Sequence, residues 1–177
     1  MDSLSGRLSE FPSAKKRFLE LLKTYKQTPT EGSVNNPQVE FFLHFLLTNP
    51  KIKNVLEIGF NGGISSACIL SARDDIGVVS LDLAEHDYTL PAKKWIDESF
   101  PERHVLVVGD SRVSFPALIR WGLEPDLIFM DGGHITPVPE TDLENVLKIA
   151  KPNTWIVIDD LRPDFGKDVM TAVEKAL

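Results

Sequence analysis

Cysteine is nearly absent: Cys68 is the single one in 177 residues, so no internal disulfide can form and a reducing compartment fits. Positive charge is in deficit, with 19 Lys and Arg against 26 Asp and Glu. A net charge of -7 weighs against a phosphate backbone as the main partner. No apolar run is long enough to span a membrane. The longest candidate, "VEFFLHFLL", is too short and is interrupted by His44. The N-terminus, "MDSLSGRLSE", lacks a basic region followed by an apolar core, so a secretory signal is not expected. Repeats, low-complexity tracts and linkers are missing as well. These absences leave a cytoplasmic chain that takes a small molecule, with neither nucleic acid nor membrane as partner. At 42% apolar and 25% charged, it has enough apolar residues to bury a core.

Residues 12–26 set Phe18, Leu21, Leu22 and Tyr25 at helical spacing, and "PQVEFFLHFLLT" predicts a second helix opened by Pro37 and stopped by "NP" at 49–50. Between them "TPTEGSVNNP" reads as a loop. From residue 54 onward strands and helices alternate. Strands are expected at 54–58, 78–83, 104–109, 126–131 and 155–160. The helices between them are "SSACILSAR", "LPAKKWIDESF", "SFPALIRWG" and "PETDLENVLKIA", with "GKDVMTAVEKAL" last. Near-continuous apolar strands joined by helices predict an α/β fold, an open parallel sheet covered on both faces.

In such sheets ligands bind outside the carboxyl ends of the strands. Those ends are acidic here: Glu57-Ile58-Gly59, Asp82, Gly109-Asp110-Ser111, Asp131-Gly132-Gly133-His134 and Asp159-Asp160. After the first strand, "VLEIGFNGGISSA" places three glycines within five residues. A nicotinamide-binding turn needs a third glycine where Ile64 stands, so that fingerprint fails. No Tyr-x-x-x-Lys pair supports a reductase, since neither Tyr25 nor Tyr88 has a lysine four residues on. Asp82, 19 residues past Gly63, suits the ribose hydroxyls of an adenosine-type ligand. Glu57, just before the turn, is poor company for phosphate and good company for a cation. Taken singly, Gly59 and Gly63 could serve only a tight turn, and Asp82 and Asp110 could cap the following helices.

Together "VLEIGFNGGISS", "LDL", "VGDS" and "DLIFMDGGH…DLENVLKIAKPNTWIVIDDL" resemble the class I S-adenosylmethionine-dependent methyltransferases, whose fold is Rossmann-like. More narrowly they resemble the metal-dependent small-molecule O-methyltransferases of catechol, caffeoyl-CoA, cephamycin and macrolide-sugar type. The resemblance runs from about Phe41 to the end. It implies that Glu57, Gly59 and Gly63 shape the methionine-side pocket, that Asp82 holds the ribose, and that Asp110 and Ser111 border the adenine. It further implies metal ligation by Asp131, Asp159 and Asp160, whose mutual repulsion a hard cation such as Mg²⁺ would relieve. His134, three residues after Asp131, is then the general base that takes the proton of the acceptor hydroxyl. Asp160 could instead cap the following loop. His44, His86 and His104 carry no specific signal, and Cys68 reads as a small core residue.

The family usually continues past the fifth strand with an antiparallel hairpin, strands six and seven, which is missing here. Residues 1–50 are expected to be helices capping the same domain, with "TPTEGSVNNP" as the mobile part of an acceptor lid. Residues 51–177 would form the S-adenosylmethionine-binding part. An open edge beside strand five invites a homo-oligomer. The competing readings are a methyltransferase without metal and an inactive or truncated S-adenosylmethionine-binding scaffold that acts through a partner.

Overall fold

The computed structural model describes residues 4–27 and 36–176; the loop expected at 28–37 lies, up to residue 35, outside them. The chain runs α1 (Leu4–Leu8), α2 (Phe11–Leu22), α3 (Asn36–Thr48), β1 (Asn54–Ile58), α4 (Ile64–Ala72), β2 (Gly77–Asp82), α5 (Thr89–Ser99), β3 (His104–Val108), α6 (Ser111–Arg120), β4 (Leu127–Met130), α7 (Val138–Ile149), β5 (Trp155–Ile158) and α8 (Lys167–Ala176). The strands form one parallel sheet in the order β3-β2-β1-β4-β5. Among the described residues the sheet has these five strands, with β3 and β5 at its edges.

Alternation along each strand decides which layer a side chain enters. Val55 on β1 and Leu127 and Phe129 on β4 pack into a core with α2, α3, α4 and α5, which contribute Phe18, Phe42, Leu43, Ile69 and Ile96. Leu56, Ile58, Ile128 and Met130 face the other way, toward Phe115, Leu118, Leu143, Val146 and Ala172 of α6, α7 and α8. Helix α4 is buried from Ser65 through Ala72, as a helix between the sheet and an outer helical layer must be. Its last carbonyls are met by guanidinium groups. Arg17 donates to Ser71 O at 2.8 Å and Arg103 to Leu70 O at 2.9 Å, which offsets the negative end of the helix.

Two details differ from the periodicity. Helix α1 carries too few residues to show a period. Helix α2 stops at Leu22, and Tyr25 lies beyond it in irregular backbone. From there the Tyr25 hydroxyl donates to Gly62 O at 2.8 Å and its ring packs edge-on against Trp95. The segment after α2 therefore reaches the glycine turn directly.

Candidate functional site

The strand order reverses between β1 and β4, and the carboxyl ends of the strands open there into a cleft of about 960 Å³. The turn after β1, the ends of β2 and β3, and the loops after β4 and β5 contribute its walls.

The glycine turn exists because two backbones meet. Gly59 has φ +94°, and a Cβ there would lie 1.9 Å from the Asp131 carbonyl oxygen. Gly63, with φ +73°, stands at the N-cap of α4, where a Cβ would press 2.7 Å from the Phe60 ring. Gly59 faces the cleft. Gly63 does not, although Gly62, Ile64 and Ser65 beside it do.

Asp82 holds this turn from the neighbouring strand. Its Oδ2 accepts the amides of Phe60 at 2.9 Å and Asn61 at 2.8 Å, and its Oδ1 accepts Ala84 N at 2.7 Å. Asn61 (φ 47°) and Ala84 (φ 56°) are both left-handed, so one carboxylate pins two strained positions at the cleft wall.

Glu57 lies elsewhere than the motif suggests. It shares a sheet face with Val55, so its side chain turns under α4 and is fully buried instead of lining the cleft. Its carboxylate accepts hydroxyl protons from Ser65, Ser66 and Ser80, each at 2.5 Å. His104 Nε2 lies 2.9 Å from Ser80 Oγ, closing a buried polar cluster. Burial outweighs the three hydroxyls and pushes the Glu57 carboxyl up to about 7, while burial pulls the His104 imidazole down to about 4.

These two groups tilt stability in opposite directions. A raised carboxyl binds its proton more tightly in the folded state, so the Glu57 contribution weakens as pH climbs from about 4.5 to about 7. A depressed imidazole does the reverse, and its contribution weakens as pH falls from about 6.5 to about 4. Replacing Glu57 by Gln should therefore expose a slope that the pair conceals. Relative to the native chain, the variant should gain about 2 to 3 kcal/mol between pH 5 and pH 8, at roughly 1.4 kcal/mol per pH unit of displacement. Urea denaturation at the two pH values measures this, and parallel profiles for the two proteins would count against it.

Past β3, Asp110 N-caps α6 by accepting Arg112 N at 2.9 Å, and the Arg112 guanidinium holds the half-buried carboxyl below its usual range. Ser111 also faces the cleft, and its hydroxyl donates to Asp142 Oδ1 at 2.6 Å.

At the opposite end of the cleft, Asp131, His134 and Asp160 converge, with one donor atom from each within 4.8 Å of the others. His134 Nε2 is 2.9 Å from Asp160 Oδ2 and 3.8 Å from Asp131 Oδ1, and its ring packs against Phe165. Burial first, then the charges of Asp159 and Asp160, raise the Asp131 carboxyl, against the opposing pull of His134. Asp159 stands apart from this cluster. Gln38 of α3 donates to its Oδ2, and its Oδ1 accepts Asp160 N at 2.8 Å. Two carboxylates crowded in this way suit a divalent cation, and the imidazole beside them can either join its donor set or accept a proton.

Gln38 and Asp142 are not among the site residues that the strand ends suggest. Gln38 carries no signal, because its role depends on how α3 docks beside β5. Asp142 was legible: it shares the i, i+4, i+7 stripe of α7 with Val146 and Ile149, where an acid must be buried.

The methyltransferase domain family matches residues 56–161, a span that holds every strand end described above. Solved structures share the fold. The O-methyltransferase from Bacillus cereus, in complex with S-adenosylhomocysteine (SAH), is 19% identical with a TM-score of 0.69, over 94% of this chain and 76% of that one. TomG from Streptomyces achromogenes, an O-methyltransferase of tomaymycin synthesis in complex with S-adenosylmethionine (SAM), is 23% identical with a TM-score of 0.66, over 96% and 74%. CalS11, the TDP-rhamnose 3'-O-methyltransferase of calicheamicin biosynthesis, is 16% identical with a TM-score of 0.65, over 94% and 86%. No curated protein matches the sequence.

Proposed function

This chain belongs to the methyltransferase domain family, and from that premise we propose that it moves the methyl group of SAM to a hydroxyl of a small molecule beside a divalent cation. The observation that carries the reading is the layout of one cleft. A bare glycine turn braced by Asp82 lies at one end, and the Asp131–His134–Asp160 cluster lies at the other.

In this reading Gly59 lets the cofactor approach the backbone, and Asp82 orients the ribose with the one Oδ1 lone pair that the three amides leave over. Asp110 and Ser111 border the base. Glu57 and Gly63 act from behind, Glu57 by fixing the Ser65 hydroxyl and Gly63 by opening α4. Asp131 and Asp160 hold the cation, and Asp159, kept in place by Gln38, lies alongside. Bound SAM supplies an electrophilic methyl on a sulfonium, and a bound divalent cation lowers the pKa of a coordinated hydroxyl. The His134 imidazole, held on its Nε2 side by the Asp160 carboxylate, takes the acceptor proton, and that carboxylate stabilises the imidazolium that results. What remains for the protein is alignment, since an in-line displacement depends on held geometry.

Calorimetric titration with SAH tests the cofactor half, with saturable one-site binding expected and no heat from folded protein sinking it. Titration of chelator-treated protein with Mn²⁺ tests the other half. Asp131→Ala should weaken Mn²⁺ binding by at least about 10- to 100-fold, the cost of disturbing even an indirect partner of a metal. His134→Ala should leave that affinity within a few-fold. Equal losses in both variants would make His134 a ligand and remove it as the base.

A further inference from the structure

We propose that Asp142 sets the base specificity of the cleft by locking the Ser111 hydroxyl as a pure acceptor, so that this wall admits a 6-aminopurine and turns away its 6-oxo counterpart. The inference rests on the SAM reading above.

A serine hydroxyl has one proton. Here it is given to Asp142 Oδ1 at 2.6 Å, which leaves only oxygen lone pairs to face the cleft. Asp142 is 1% exposed, and its other oxygen, Oδ2, is buried without a hydrogen-bond partner among the described residues. The Ser111 proton is therefore the hydrogen bond that compensates this buried carboxylate, and rotating it toward a ligand would strip that compensation. Burial raises the carboxyl to about 6, still low enough for the acceptor-only, ionised form to dominate at neutral pH.

Several neighbouring donors are committed as well. The Arg112 guanidinium is bound to Asp110 through Nε at 2.9 Å and Nη2 at 2.5 Å, and the Arg112 amide is capped by the same carboxylate. The amides of Val113 and Ser114 are spent on Asp110 O at 2.9 and 2.8 Å. With the ribose on Asp82 at the end of β2, the base extends toward β3 and α6, and position 6 lies on the ring edge farthest from the sugar. An exocyclic amino group there finds an acceptor, whereas an exocyclic carbonyl meets lone pairs.

The test is calorimetry at pH 7.5 with two probes, SAH and S-inosylhomocysteine, on the native chain, Asp142→Asn and Ser111→Ala. The native chain should favour SAH by about tenfold or more, the usual effect of one unmatched buried polar contact. In Asp142→Asn the amide can donate to Ser111 Oγ and release the hydroxyl proton, so the ratio of the two affinities should collapse toward one. Ser111→Ala should do the same by deleting the acceptor. A role of Asp142 in folding alone would weaken both ligands together and leave the ratio intact, and that result overturns the proposal. So does a native ratio near one. Failure of folded native chain to bind either probe overturns the cofactor reading, and this inference with it.

Discussion

Gly59→Ala should cost the protein its native fold under conditions where Gly122→Ala leaves it folded. Both glycines are left-handed, at φ +94° and +73°, so both variants pay the same kind of backbone penalty, about 1 to 2 kcal/mol. What separates them is space. A Cβ at Gly122 meets nothing within 4 Å, whereas one at Gly59 would sit 1.9 Å from Asp131 O and 2.7 Å from Asp131 C. Both colliding atoms are backbone and cannot rotate away. Relief requires prising the end of β1 from the end of β4, where Asp131 N donates to Ile58 O at 2.9 Å. A loss above about 4 kcal/mol is expected, among the largest single-site effects. Urea denaturation followed by circular dichroism reads it directly. Similar midpoints for the two variants would mean that the seam gives way at little cost.

Asp82→Ala should have the next largest effect, and on two properties at once. Removing the carboxylate leaves the amides of Phe60, Asn61 and Ala84 without their acceptor, a loss of about 3 kcal/mol at roughly 1 kcal/mol each. It also frees Asn61 and Ala84 from the left-handed conformations in which they are held. SAH affinity should fall by more than about a hundredfold, because a hydrogen bond to a charged group is worth about 1.5 to 3 kcal/mol and the wall itself moves. Stability is read by urea denaturation and affinity by calorimetry. A variant that loses stability but keeps its affinity would show that Asp82 braces the turn without touching the ligand.

The elements that the sequence made legible are those with a period. Strand β1 stands at 54–58 as its apolar run predicted, because a buried parallel strand has few ways to be anything else, whereas the edge strand β5 begins at 155 as expected but ends at 158, short of the expected 160. Helix α6 begins at Ser111, earlier than its apolar pattern suggested, because Asp110 caps it. The site was readable as a set of strand ends but not as a set of directions. Glu57 looked like a cleft residue because it adjoins the glycines, yet strand alternation sends it under α4. Asp159 and Asp160 look equivalent as a pair. Their separation depends on the left-handed φ of 57° at Asp160 and on Gln38, more than a hundred residues away in sequence.

The place where the two halves of the cleft meet has a consequence for assembly. Val55 pairs with Val78 across 23 positions, but with Leu127 across 72. Loop closure grows with the logarithm of length, so joining β4 to β1 costs about 1 kcal/mol more chain entropy than joining β2 to β1. Gly59 and Asp82 lie on the near side of that join, and Asp131 and Asp160 on the far side. A fluctuation that parts β1 from β4 therefore divides the cleft down its middle, and neither fragment keeps both ends of a binding site. Only molecules with the β1–β4 seam closed hold both ends of the cleft together.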